Sequence, residues 1–137
     1  MSALVKKLSI SVLALSVLLL SGCGWGDSEK ATQDFFTLLL TDSNAAYAMT
    51  SQDFQSATTF EQLDDMAKNT GLSMYSSFDS TSYNTQMDNG ISVRFLDGTM
   101  SFTDGSSAPI RVGWISENGD WKLLNFEFNP TEEVPEL

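Results

Sequence analysis

Val93-Arg94-Phe95-Leu96-Asp97-Gly98-Thr99-Met100-Ser101-Phe102 has the pattern of a β-hairpin. Asp97-Gly98, flanked by apolar residues, signals a two-residue type I′ hairpin turn. That turn pairs Leu96 with Thr99, Phe95 with Met100 and Val93 with Phe102, so Val93, Phe95, Met100 and Phe102 share one face. Downstream, Ile110, Val112 and Trp114 alternate, as do Leu124, Phe126 and Phe128, which is strand periodicity. A two-residue loop at Asn118-Gly119 would set Val112 against Asn125 and mix polar with apolar residues. A slip of one residue inverts every side chain. A three-residue loop over Glu117 to Gly119, with a bulge at Gly119, is therefore expected, placing Ile110 opposite Phe126 and Val112 opposite Leu124.

The result is an antiparallel sheet with one dry face and one wet face. Ser92, Arg94, Ser101, Thr103, Arg111, Asn125 and Glu127 fall on the wet side. Upstream, Ser73 to Asn89 is rich in Ser, Thr, Asn and Asp and reads as an irregular edge strand and loop. Cover for the dry face must come from the helices that precede it. Ala31, Phe35, Leu38 and Leu39 recur at helical spacing, with Phe36 and Leu40 widening the stripe. Asp42 and Ser43 are N-cap residues for a short helix bearing Ala45, Ala46, Tyr47 and Met49. Thr59 with Gln62, or Thr58 with Glu61, fits a capping box before Phe60, Leu63, Met66 and Ala67, and Gly71 suits the stop. The fold class is α+β, with N-terminal helices on one face of a curved antiparallel sheet of four to five strands.

The amino terminus carries a different kind of signal. Lys6 and Lys7 precede 13 apolar or small residues, Leu8 to Leu20, and Leu20-Ser21-Gly22-Cys23 follows. A run of that length is short of the about 20 residues that span a bilayer, and its layout is that of a secretory signal. Leu20 to Cys23 resembles a bacterial lipobox. The resemblance implies cleavage between Gly22 and Cys23 and acylation of Cys23, the single cysteine of the 137 residues. Gly24, in the place where an aspartate would retain a lipoprotein in the inner membrane, implies export to an outer membrane where the host has one. Otherwise the outer face of the plasma membrane is implied. Residues 1–22 then form the signal peptide, 23–30 a lipidated tether reaching at most about 25 Å, 31–130 one domain and 131–137 an acidic tail.

Removing residues 1–22 from 137 leaves 115, enough for one domain. The remaining basic residues, Lys30, Lys68, Arg94, Arg111 and Lys122, are scattered among 18 acidic ones. Nucleic acid, which draws its protein partners through clustered Lys and Arg, is excluded as a partner. The acyl chains, not charge, are the expected hold on the membrane.

Helices followed by a meandering sheet that ends in Gly119-Asp120-Trp121-Lys122-Leu123-Leu124 resemble the NTF2-like, cystatin-like superfamily of cone-shaped domains. The resemblance implies a curved sheet wrapped around a helix with a pocket at the open end. Members include isomerases, cyclases and dehydratases as well as ligand-binding and dimer-forming proteins, and the enzymes generally place an Asp, often with His, inside the cone. This chain has no histidine, so neither a Ser-His-Asp nor a Cys-His nucleophile nor the common zinc sites can be built. No catalytic residue, metal ligand or cofactor is assigned. Asp64-Asp65 diverge around a helix axis, and Asp97-Gly98, Asp104-Gly105 and Asn118-Gly119 fit turns and not an EF-hand loop. Tyr47, Tyr75, Tyr83 and Trp114 combine an aromatic body with a polar handle and are the candidate pocket lining. The sequence thus points to a lipid-anchored, non-enzymatic binding module for a small apolar ligand, an envelope protein or a second copy of itself. The alternatives are a cone-pocket enzyme with an Asp general base and an accessory subunit or inhibitor of another envelope protein.

Overall fold

The computed structural model describes residues 25–130. Helices α1 (Trp25–Thr41), α2 (Ser43–Ala48), α3 (Gln52–Ala57) and α4 (Phe60–Asn69) and a 3-10 turn (Gly71–Met74) come first. Strands β1 (Tyr75–Asp88), β2 (Ile91–Phe102), β3 (Ser107–Glu117) and β4 (Asp120–Phe128) follow. The strands make one antiparallel meander in chain order. The chain is therefore α+β. Gly22, Cys23 and the rest of residues 1–24, like the tail 131–137, lie outside the described residues.

Helix α1 starts earlier than the sequence periodicity predicts. Its buried stripe runs Ser28, Ala31, Thr32, Phe35, Phe36 and Leu39, so that Trp25 to Lys30, expected as tether, form its first turns. Two members of the stripe, Ser28 and Thr32, are polar, so the apolar spacing does not extend to the start of the helix. Capping signals proved accurate. Asp42 accepts from the Ala45 N–H at 3.3 Å, and the Thr59 hydroxyl accepts from the Gln62 N–H at 3.1 Å while the Gln62 carboxamide oxygen accepts from the Thr59 N–H at 2.8 Å. Thr59→Ala removes half of that box and is expected to cost about 1 kcal/mol, read as a lower urea midpoint with an unchanged slope. Helix α3 has no sequence forecast, since six residues are too few for a 3.6-residue period to declare itself. Its cap is Ser51, whose hydroxyl accepts from the Phe54 N–H at 3.1 Å. The end of α4 is formed by extended Thr70 and not by a left-handed Gly71.

The sheet departs from the expected register at its centre. Asp97-Gly98 is not a turn; β2 runs straight through it. The two-residue turns are Asn89-Gly90 and Asn118-Gly119, each with positive φ at both positions (53° and 80°; 53° and 87°) as type I′ requires, closing Asp88 against Ile91 and Glu117 against Asp120. Val93 and Phe95 accordingly lie on the face opposite Met100 and Phe102, and Arg94 turns toward the helices. The inversion expected in the last hairpin does occur, but in the strand and not at the loop. A register shift between Gly113 and Trp114 leaves Leu124 as the extra residue, so Trp114 faces Leu123, Val112 faces Phe126 and Ile110 faces Phe128. Strand β1 is the expected edge strand, continuous and bulged twice.

One core joins the two layers. Phe35, Phe36, Leu39, Leu63, Ala67 and Leu72 pack in the same buried cluster as Phe78, Leu96, Met100, Ile110, Val112, Trp114 and Leu123. All seven of those strand residues share a parity by the observed register, whereas Val93 and Phe95 are not members. A buried polar link runs from the Trp114 indole N–H to the Thr32 hydroxyl at 3.0 Å, and from that hydroxyl to the Ser28 carbonyl at 2.9 Å.

Candidate functional site

The sheet's apolar face is longer than the helices that cover it. Phe102, Phe126 and Phe128 lie at one end of that face and are only partly buried, packed against the core cluster from its margin. Phe126 carries the aromatic wall there, with ring centroids 5.3 Å from Phe36, 6.2 Å from Phe35 and 6.4 Å from Phe128. On the free edge of β4, the segment Met49 to Ser51 covers one position. The Ser51 N–H donates to the Leu123 carbonyl at 2.9 Å and the Leu123 N–H to the Met49 carbonyl at 2.8 Å.

Beyond that bridge a groove opens between β4 and α4. Its larger part, about 470 Å³, is lined by Met66, Thr70, Gly71, Leu72, Phe102, Ala108, Phe126, Phe128 and Asn129. A neighbouring cavity of about 370 Å³ shares Met66 and Phe126 and adds Phe54, Leu124 and the exposed Asp53. Met66, unbranched and flexible, stands between the two and is suited to yield to an irregular apolar guest. The larger part has no ionisable side chain in its lining. Apolar walls with a few polar groups, here Thr70 and Asn129, make up the usual interior of a small-molecule pocket.

None of the four aromatic residues proposed from sequence lines either cavity. Tyr47 stacks edge-on against Phe60 with centroids 5.8 Å apart and spends its hydroxyl on the Thr58 carbonyl at 2.9 Å. Tyr75 packs on Phe36 at 5.6 Å, and burial pushes its hydroxyl pKa up. Tyr83 is exposed beside the Arg94 guanidinium, 5.8 Å from its ring centre. Trp114 is buried beneath α1. The residues that do line the groove were readable only as core positions, because a gap between layers leaves no mark on periodicity. The one signal was an excess, three phenylalanines at the end of a sheet face for which the helical stripes supply too little cover.

Several carboxylates elsewhere are held by structural partners. Asp64 is held below its ordinary pKa by Lys68, at 2.8 Å, and by the Ser43 hydroxyl at 2.9 Å. Asp65 accepts from Asn69. Asp104 is lowered by the Ser106 hydroxyl and N–H across the β2–β3 turn. Asp97 takes Arg111 through two nitrogens, at 2.7 and 3.3 Å, and so raises the Arg111 pKa. Among the described residues no group of three or more His, Cys, Asp or Glu is placed to hold a metal ion.

The chain matches no family model, no curated protein and no solved structure. No described helix is long and apolar enough to cross a membrane.

Proposed function

We propose that this is a lipid-anchored protein of the bacterial envelope whose α+β domain binds a small apolar ligand without catalysis. The observation that carries the reading is the groove of about 470 Å³ with no ionisable side chain in its lining. That volume lies within the range of about 300 to 1,000 Å³ that drug-sized ligands occupy. The rival reading, an Asp general base, needs a carboxylate positioned in the cavity, and the lining offers Asp53, exposed and in the smaller part. The anchor is Cys23 in its lipobox setting. We read helices followed by a meander as the NTF2-like or cystatin-like architecture, with the groove as its open end, and on account of Gly24 place the protein at the outer membrane in a host that has one and at the outer face of the plasma membrane in a host that does not.

Ala108→Phe tests the groove. Ala108, only partly buried, lines it from β3, and a ring at this site occupies part of the cavity. Binding of the neutral fluorescent probe N-phenyl-1-naphthylamine is expected to weaken about tenfold, a loss of about 1.4 kcal/mol, with the melting temperature retained. Unchanged probe affinity in a folded variant would remove the groove as the binding site.

A further inference from the structure

One end of the molecule carries apolar side chains that neither the core nor the groove uses. Met87 is 73% exposed and Ile91 48%, on the two sides of the Asn89-Gly90 turn. Tyr83, 50% exposed, lies four residues behind Met87. Between the rings of Tyr83 and Trp121 sits the Arg94 guanidinium, 5.8 and 4.8 Å from their centres.

The contacts of α1 fix which end this is. The Arg94 guanidinium donates to the Ser28 hydroxyl at 2.8 Å. Farther along, Glu29 accepts from Ser80, Gln33 donates to the Phe78 carbonyl at 2.9 Å, and Phe36 packs on Tyr75. As α1 advances, its partners recede along β1 from the Asn89-Gly90 turn. The helix start and the turn therefore point the same way. From Ser28 back to Trp25 is three residues of helix, about 4.5 Å. From Arg94 back to Ile91 is three residues of strand, about 10 Å. The turn thus reaches at least as far as the first residue of α1. The Asn118-Gly119 turn is at this end too, since Ile115 faces Val93.

Cys23 is only two residues before Trp25, a reach of at most about 7 Å. With α1 already helical at Trp25, no long tether remains to hold the domain off the surface. We infer that the β1–β2 turn of this domain rests on the bilayer, with Met87 and Ile91 in the headgroup layer and the rings of Tyr83 and Trp121 at its boundary. This inference rests on the acylation of Cys23 proposed above. Apolar tips flanked by amphipathic aromatics are the composition favoured at a membrane interface. Asp88 and Asp120 flank the two turns, so the surface that fits is zwitterionic and not anionic. The groove, by contrast, lies toward the far ends of β1 and β2, where its lining residue Phe102 faces Tyr75, and is directed away from the bilayer.

Acylation converts the Cys23 thiol to a thioether, so a cysteine introduced elsewhere is the single free thiol of the full chain. Met87→Cys, Ile91→Cys and, at the opposite end, exposed Ser107→Cys are each labelled with bimane in the acylated protein on phosphatidylcholine vesicles. Quenching by brominated lipid is expected to be several-fold greater at 87 and 91 than at 107. Equal quenching at all three positions, with the protein still co-sedimenting with vesicles, would overturn the inference and leave acylation standing. So would shielding of 87 and 91 from aqueous iodide without quenching by lipid, which would place a protein partner on the turn. Should Cys23→Ser co-sediment as well as the wild type, the anchor itself is refuted and the inference falls with it.

Discussion

Gly98→Ala is expected to destabilise the protein by about 3 kcal/mol or more, at the upper end of the cost of overfilling a packed site. A Cβ at Gly98 would be driven into the backbone carbonyl oxygen of Asp79 and would come within 2.8 and 2.9 Å of two Phe78 ring carbons. Neither neighbour has room to retreat. Phe78 is fully buried, and the Asp79 carbonyl belongs to β1 just where its register slips between Ser80 and Ser82. Gly113→Ala is the informative control. There the new atom would meet the Asn125 side chain at 2.8 Å and the Phe95 ring at 3.0 Å, and Asn125 is exposed and free to turn. Urea unfolding should rank Gly98→Ala well below Gly113→Ala. Equal losses would mean that β1 does not approach β2 as closely as the fold requires.

Trp114→Ala should cost about 3 to 5 kcal/mol, the usual penalty for removing a fully buried large aromatic. Trp114 is 1% exposed and is among the largest side chains of the core. Set against a typical total stability of about 5 to 15 kcal/mol, the loss leaves a domain on the margin of folding, with a broadened or absent thermal transition. The milder Thr32→Val isolates the polar part of the contact. It keeps the volume and leaves the indole N–H buried without its acceptor at 3.0 Å, for about 1 to 3 kcal/mol. In the Trp114→Phe background the same Thr32→Val change should cost clearly less, because no indole N–H remains to be stranded. Additive losses in that double-mutant cycle would show that the hydrogen bond carries no coupling between α1 and β3.

How far the sequence could be read depended on whether a feature is local. Thr59 with Gln62 and Asp42 with Ala45 cap helices through atoms three residues apart, and both are visible in the chain as written. Strand parity from Ile110 to Phe128 is equally local, and it correctly required one inversion. Its place is not local, because a bulge between Gly113 and Trp114 satisfies the same count as one in the loop. The larger departure from local chemistry is at Asp97-Gly98. Besides Asp104-Gly105, which does lie in a turn, the three dipeptides Asn89-Gly90, Asp97-Gly98 and Asn118-Gly119 carry the chemistry of a two-residue turn, and only two of these three became turns. At the third, Asp97 is spent on Arg111 from the next strand and Gly98 makes room for Phe78, partners 14 and 20 residues away.

The class of the fold, the helix caps, the alternation of Ile110, Val112 and Trp114 and the absence of histidine chemistry are legible in the chain as written, because each depends on residue types or on neighbours within a turn or two of chain; the alternation of the last strand is not, since Leu123 and not Leu124 enters the core. Long-range packing settles which Asx-Gly pair ends a strand, that α1 begins at Trp25, that the apolar space lies between α4 and β4, and that the Asn89-Gly90 turn shares an end with the start of α1. Those outcomes rest on the spacing and direction of elements brought together from distant parts of the chain. A groove is the volume that packing leaves unfilled, and no residue pattern encodes a volume directly.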